Sequence, residues 1–342
     1  MAVLTEGQPK PITVLRHGVS VQSVKFLSPD LVISGYLDGK LLLWSLRKRR
    51  PVSELLAHEK GNGEGCSGVL KVDTTQGKVM TQGRDGMVRV WDAETMSSGG
   101  ECQPLSSIAI HSYHFCQFAL VRWGEEGTSS GALDPGSALL TPCEEQGDLE
   151  LWDLREPSSP CQTLSDASGA KGGMVMCCRL LQQSAHCPSD VAIAGGEDGS
   201  VSVFDLRRLG QPLVSEVLHK DPVISLDVGQ DCRQGVSGGA DEQLQVWRLD
   251  VGEGSITRHC SRPLSRAGVA AAQIRPDQRL LGTGGWDRRV RLFSWEKAKP
   301  LALLRCHEES VSCLDFCGGE GLGLMVAGSK DCKISCWNLF PS

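Results

Sequence analysis

One pattern recurs seven times along the chain and leaves it little choice of fold. It is a small residue, a turn with Asp, then alternating apolar residues that end in Trp or Phe. It reads SGYLDGKLLLW to Trp44, TQGRDGMVRVW to Trp91, PCEEQGDLELW to Trp152 and AGGEDGSVSVF to Phe204. It continues as SGGADEQLQVW to Trp247, TGGWDRRVRLF to Phe293 and AGSKDCKISCW to Trp337. An Asp stands six residues before the aromatic in six copies, at Asp38, Asp85, Asp198, Asp241, Asp287 and Asp331, and Gln146 stands there in the third. The aromatics are 47, 61, 52, 43, 46 and 44 residues apart, so the copies leave no room for a separate domain. Units of this size bury their apolar faces only by packing on their neighbours.

The local pattern says what each unit is. Leu41 and Leu43 alternate with Leu42 and Trp44, and Val88 and Val90 with Arg89 and Trp91. That period of two is a strand. Asp and Gly at its start mark a tight turn, because both tolerate left-handed backbone. Another apolar run lies upstream of each turn, such as Val21–Phe26, Val223–Val228 and Val311–Phe316, and Pro29-Asp30 and Pro276-Asp277 turn the chain after two runs of this kind. Each unit is therefore expected to be an antiparallel sheet of about four strands. Forty glycines against only 17 aromatics fit a chain of many short strands and turns.

These residues resemble the WD-repeat family over essentially the whole chain. The resemblance implies an all-β, seven-bladed β-propeller spanning 1–342, one sheet per blade. It also implies a buried His–hydroxyl–Asp–Trp tetrad in each regular blade. By position these are His17, Ser34, Asp38 and Trp44 in blade 1; His58, Thr81, Asp85 and Trp91 in blade 2; His219, Ser237, Asp241 and Trp247 in blade 5. Blade 7 keeps His307, Asp331 and Trp337 with Ala327 at the hydroxyl position; blade 6 keeps Thr283 and Asp287 with Phe293; blade 4 has Ala194, Asp198 and Phe204; blade 3 keeps only Trp152. Outer strands precede three of the His positions, at 51–56, 212–218 and 300–304. Residues 11–16 have the same form with no blade before them, so they are expected to complete blade 7 and cover its open edge.

Few residues invite chemistry. His, Asp and Ser in one unit suggest a catalytic triad, but the set repeats around the ring, whereas a nucleophile needs one pocket. No catalytic residue, metal or cofactor is expected. Cys313 with Cys317 and Cys332 with Cys336 form no C-x-x-C, and Cys332, Ile334 and Cys336 are read as alternating on one strand, spread along a sheet and not around zinc. The glycines of 61–65 are not followed by the Gly-Lys-Ser/Thr of a phosphate loop. The net charge, 35 − 41 = −6, argues against general nucleic-acid binding. No apolar run is long enough for a membrane span, and residues 1–10 lack the apolar core of a secretion signal. Fifteen cysteines, an odd number, then read as reduced thiols, and a cytoplasmic and nuclear location is expected. The basic run Arg47-Lys-Arg-Arg50 reads as a solvated connector or a nuclear-import signal.

The partner-facing positions are expected on the rim, in the residue before each turn Asp: Leu37, Arg84, Glu145, Glu197, Ala240, Trp286 and Lys330. Arg84, Glu197, Trp286 and Lys330 are the candidate binding residues, and an exposed Trp in a turn is the strongest of them. The sequence WDLR at 152–155 and FDLR at 204–207 resembles the box of WD proteins that recruit substrates to cullin-4 ubiquitin ligases, with Arg155 and Arg207 as its arginines. Ser/Gly/Pro/Glu-rich insertions at 97–107, 124–137, 156–173 and 182–190 read as loops of blades 2 to 4. The runs 274–293 and 307–341 are similar to the G-protein beta-subunit-like protein 1 family and its fungal relative, the ASTRA-associated WD protein. That family is associated with maturation of the phosphatidylinositol-3-kinase-related kinases alongside the TELO2–TTI co-chaperone. The resemblance thus implies a non-enzymatic scaffold with protein partners. True G-protein beta subunits begin with a helix that coils with gamma; residues 1–16 include Pro9 and Pro11, so no gamma subunit is expected.

Overall fold

The computed structural model describes residues 9–59, 67–98, 102–110, 115–122, 138–143, 147–165, 173–183, 187, 189–208, 211–321 and 323–339. The described residues form seven four-stranded antiparallel groups. Blade 1 is typical, with Val21–Phe26 innermost, then Leu31–Tyr36, Lys40–Ser45 and Arg50–Leu56 at the outside. Blade 7 takes three strands from the end of the chain and its fourth from the beginning. Thr13–Arg16 pairs with Lys333–Asn338, Thr13 opposite Cys336 and Arg16 opposite Lys333. Main-chain bonds from Ile12 and His17 extend the seam at both ends. Blades 3 and 4 are joined further: Ala119–Arg122 and Val175–Leu181 pair in parallel, making one eight-stranded sheet.

Seven apolar clusters hold the ring together, and each is built from two neighbouring blades. Val290, Leu292, Leu314, Phe316 and Trp337 fill the gap between blades 6 and 7, and Leu15, Val21, Val24, Trp44, Ile334 and Cys336 fill the gap between 7 and 1. The aromatic that ends each repeat always packs toward the preceding blade. Each buried side chain of this size is worth about 1.5–3 kcal/mol. Side-chain bonds add to the joints. Asp315 accepts from the Phe26 amide of the next blade and Asp227 from that of Ile274, at 2.8 and 2.7 Å. Ser312 and Ser225 donate across the same two gaps, both at 2.6 Å, and the Cys177 thiol does so between blades 4 and 5.

The tetrads show how local sequence decides each turn. Blade 2 has the full chain. The His58 Nδ1–H donates to Asp85 at 3.0 Å, Thr81 donates to Nε2 at 2.9 Å, and the Trp91 indole donates to Thr81 at 2.9 Å. Blade 1 departs from the expectation. The column that holds Gly83 and Gly239, where a Cβ would collide with His58 or His219, holds Tyr36. His17 is displaced and leans on that ring, with centroids 4.5 Å apart and the planes tilted by 55°. The Tyr36 hydroxyl takes the histidine's place, 3.0 Å from Ser34 and receiving Trp44 at 3.2 Å. Asp38 only caps its own turn, accepting from the Lys40 amide.

Three further corrections follow from pairing across the sheet. In blade 7 Ser335, directly opposite Ala327, supplies the missing hydroxyl: it is 2.8 Å from His307 and 2.9 Å from the Trp337 indole. In blade 3 Thr141 receives Trp152 at 2.9 Å; it lies eleven residues before the aromatic instead of ten because the turn is longer. In blade 5 His219 binds Asp241 and Ser237, but the buried Trp247 indole N–H has no hydrogen-bond partner among the described residues. Its strand partner is Gly235, where blades 1 and 2 have Val32 and Val79. The indole lies so flat on that glycine that a Cβ there would be 2.2 Å from the ring, which turns the N–H away from Ser237. Blade 6 has Ser265 four residues ahead of Val269, where blades 1, 5 and 7 place His17, His219 and His307, and Arg291 joins Ser265 to Asp287. Cys332 also differs from expectation. It is not on the strand but in the turn, at φ +64°, where blades 1, 2 and 4 use Gly39, Gly86 and Gly199. Parts of two expected loops are ordered structure: a helical turn at Ala93–Ser98, and outer strands at Ser106–Ala109 and Gln162–Leu164.

These bonds set testable stabilities. Tyr36→Phe removes a buried hydroxyl from blade 1 and is expected to lower the melting temperature more than His17→Ala does. His58→Ala leaves the Thr81 hydroxyl without its acceptor and leaves Asp85 held by Arg89 alone among side chains; it is expected to cost about 1–3 kcal/mol, read by denaturant titration. Burial holds His58, His219 and His307 below the ordinary histidine range, only partly offset by their Asp partners. The unfolded chain therefore binds more protons below about pH 6.5, so stability is full above that pH and lost as it falls. Calorimetry at pH 7 and pH 5 should show a lower melting temperature at pH 5. Removing residues 1–16 exposes the edge of blade 7 and should lower the melting temperature by several degrees; no change would refute the closure.

Candidate functional site

The channel along the ring axis is a girdle of paired charges from the innermost strands. Lys25 lies 3.2 Å from both Asp315 and Asp73, Lys71 lies 3.6 Å from Asp73, and Arg179 lies 3.2 Å from Asp227. Gln273 donates to Asp315 at 2.8 Å, and the amide of the next residue, Ile274, donates to Asp227, so this strand touches both arcs. The space enclosed is about 140 Å³, below the several hundred Å³ usual for a small-molecule pocket. Among the described residues no group of three or more His, Cys, Asp or Glu is placed to hold a metal ion.

The rim around one mouth of this channel is the more informative surface. Leu37, Arg84, Glu197, Trp286 and Lys330 are all exposed and Ala240 is half-buried; Glu145 lies outside the described residues, as do Gln146 and the glycines of 61–65. Trp286 is 48% exposed although one face of its indole rests on Gly268, where a Cβ would meet the ring at 2.1 Å. It is thus both held and presented. Arg84 stacks over Phe115 at 5.3 Å, and Phe115 is 66% exposed at the channel mouth. Sequence reading missed Phe115, since it belongs to no repeat column. Glu197 accepts from the Met174 amide at 3.1 Å. Lys330 is set beside Trp286 through Ser310, whose carbonyl accepts from the Lys330 amide and whose hydroxyl donates to the Trp286 carbonyl.

The remaining candidates lie elsewhere. Arg155 and Arg207 each fork onto the Asp two residues earlier, at 2.6 and 2.8 Å, and both side chains stay 60% exposed. Those guanidinium groups hold the Asp153 and Asp205 carboxyls below the usual carboxylate range. Arg47, Lys48, Arg49 and Arg50 are exposed in the turn between the third and outer strands of blade 1.

Comparison with known proteins agrees with this geometry. The "WD domain, G-beta repeat" family matches residues 298–338. The chain is 34% identical to guanine nucleotide-binding protein subunit beta-like protein 1 of Mus musculus, covering 100% of this chain and 99% of that protein. It is 26% identical to ASTRA-associated protein 1 of Schizosaccharomyces japonicus and 24% to that of Schizosaccharomyces pombe, each over 97% of this chain and 99% of the relative. With seven WD-type sheets in a closed ring and full-length similarity of this degree, the chain belongs to the family of guanine nucleotide-binding protein subunit beta-like protein 1, a branch of the WD-repeat propellers.

Proposed function

We propose that the whole chain, 1–342, is a non-enzymatic platform that binds other proteins through its rim. The observation that carries this is Trp286, a large side chain braced on Gly268 yet left half in solvent. A braced aromatic loses little freedom on binding, so its burial by a partner is nearly all gain. Arg84 on Phe115, Glu197 and Lys330 extend the surface around the mouth. The relatives named ASTRA-associated protein 1 support membership of an ASTRA-type assembly. Within it we assign the chain a co-chaperone-like role in the maturation of phosphatidylinositol-3-kinase-related kinases, in cytoplasm and nucleus. Its fourteen described cysteines are free thiols, which suits those reducing compartments.

A second reading has its own observation. The exposed, preformed forks at Arg155 and Arg207 suit a substrate receptor of a cullin-4 ligase. Affinity purification with mass spectrometry separates the two. Trp286→Ala is expected to fold normally and lose the co-purifying assembly, while Arg155→Ala with Arg207→Ala leaves it intact. Equal recovery by wild type and Trp286→Ala would reject the rim; loss of a ligase adaptor only in the double arginine variant would favour the second reading.

A further inference from the structure

Charge is distributed very unevenly around this ring. Residues 254–307 carry eleven Lys or Arg and three Asp or Glu, a net of +8, whereas the rest of the chain carries 24 against 38, a net of −14. This stretch is the outer strand of blade 5 and all of blade 6. Some of its arginines are spent internally: Arg275 forks onto Asp277 and Arg291 onto Asp287. Arg266, Arg288 and Arg305 are exposed and make no ion pair among the described residues.

These three converge on one spot. Arg305 is the direct strand partner of Arg289, and Arg288 is the next residue. Arg289 and Arg291 both donate to Ser265, which adjoins Arg266. Trp286 bonds to the Gly268 carbonyl through its amide and lays its ring on that glycine, two residues from Arg266. Four arginines and a half-exposed indole thus share the rim end of blade 6. Its acidic neighbours stand to either side: Glu242, joined by its carbonyl to Leu264, and Glu308, paired with Lys333, followed by Glu309. Asp287 lies beneath, 4% exposed, held by Arg291 and 3.9 Å from Arg289, so it offsets part of the charge of these two arginines.

Two features of the cluster are costly without a ligand. Like charges placed directly opposite on paired strands, as Arg289 and Arg305 are, repel each other. Arg288 sits at φ +71°, a left-handed position that blades 1 to 4 give to Gly39, Gly86, Gly147 and Gly199. A side chain there is strained relative to glycine. An anion bridging the arginines would offset the first cost and make use of the side chain that imposes the second.

We infer that the rim end of blade 6, formed by Arg266, Arg288, Arg289, Arg305 and Trp286, binds a short acidic polypeptide segment, with carboxylates on the arginines and an apolar side chain on Trp286. The inference deepens the rim reading above and rests on it. A peptide fits better than a nucleic acid, because a long polyanion would run off the patch toward the rest of the chain, whose formal net charge is −14.

The test is fluorescence anisotropy of the full chain with a labelled peptide alternating Glu and Leu, at about 50 and 300 mM salt. Binding is expected and should weaken with salt. Arg266→Glu, Arg288→Glu and Arg305→Glu together should weaken it about tenfold or more. Lys297→Glu with Lys299→Glu changes similar charge at the far end of the same outer strand and should have little effect. Arg288→Gly removes a charge while relieving the left-handed backbone, so it should weaken binding without loss of melting temperature. Equal loss from the Lys297/Lys299 variant would mean diffuse attraction and overturn the site, as would tighter binding of a single-stranded DNA of equal length. If Trp286→Ala abolishes capture of protein partners but the acidic peptide does not bind, the platform stands and this inference fails.

Discussion

A four-stranded sheet with apolar residues on both faces cannot stand alone, and everything in this molecule follows from that. Each blade hides one face against the blade before it and the other against the blade after it. The closing aromatic of each repeat is the wedge in every gap. A row of such sheets would still leave two bare ends, so the row is bent into a circle and its last sheet is completed by the first strand of the chain. The hydrogen-bonded turns then hold each wedge at its angle, and the exposed rim inherits that rigidity.

Much of this was legible in the sequence, because the information is periodic. Seven copies of one pattern pointed to seven sheets, and the orphan strand at 11–16 pointed to the seam. What was not legible depends on contacts across a sheet. Ser335 replaces Ala327 from the opposite strand, and a reading that moves along one strand at a time sees only the alanine. Thr141 was hidden by a single added turn residue. Tyr36 was visible in the column where other blades keep small residues, but its consequence, the displacement of His17, needs the knowledge that this column borders the imidazole. Gly235 is similar: the missing side chain was plain, and the fall of the Trp247 ring onto it was not.

The candidate surface was legible in a different way. Trp286 stood out by type alone, since a large aromatic in a turn needs a reason. The grouping of Arg266 with Arg288 and Arg305 was not visible, because they belong to three separate segments that meet only through Ser265 and one strand pairing. Surface sites are assembled from parts that periodicity does not relate.

The parallel pairing between Ala119–Arg122 and Val175–Leu181 has a consequence for how the family can vary. Elsewhere neighbouring blades touch through side chains, and a badly placed insertion would pry them apart. Here main-chain bonds weld two sectors into a single plate. Three of the four insertions in the sequence, 124–137, 156–173 and 182–190, fall within these two blades, so length can change there without loosening the hoop, much as a reinforced segment of a wheel tolerates spokes of uneven length.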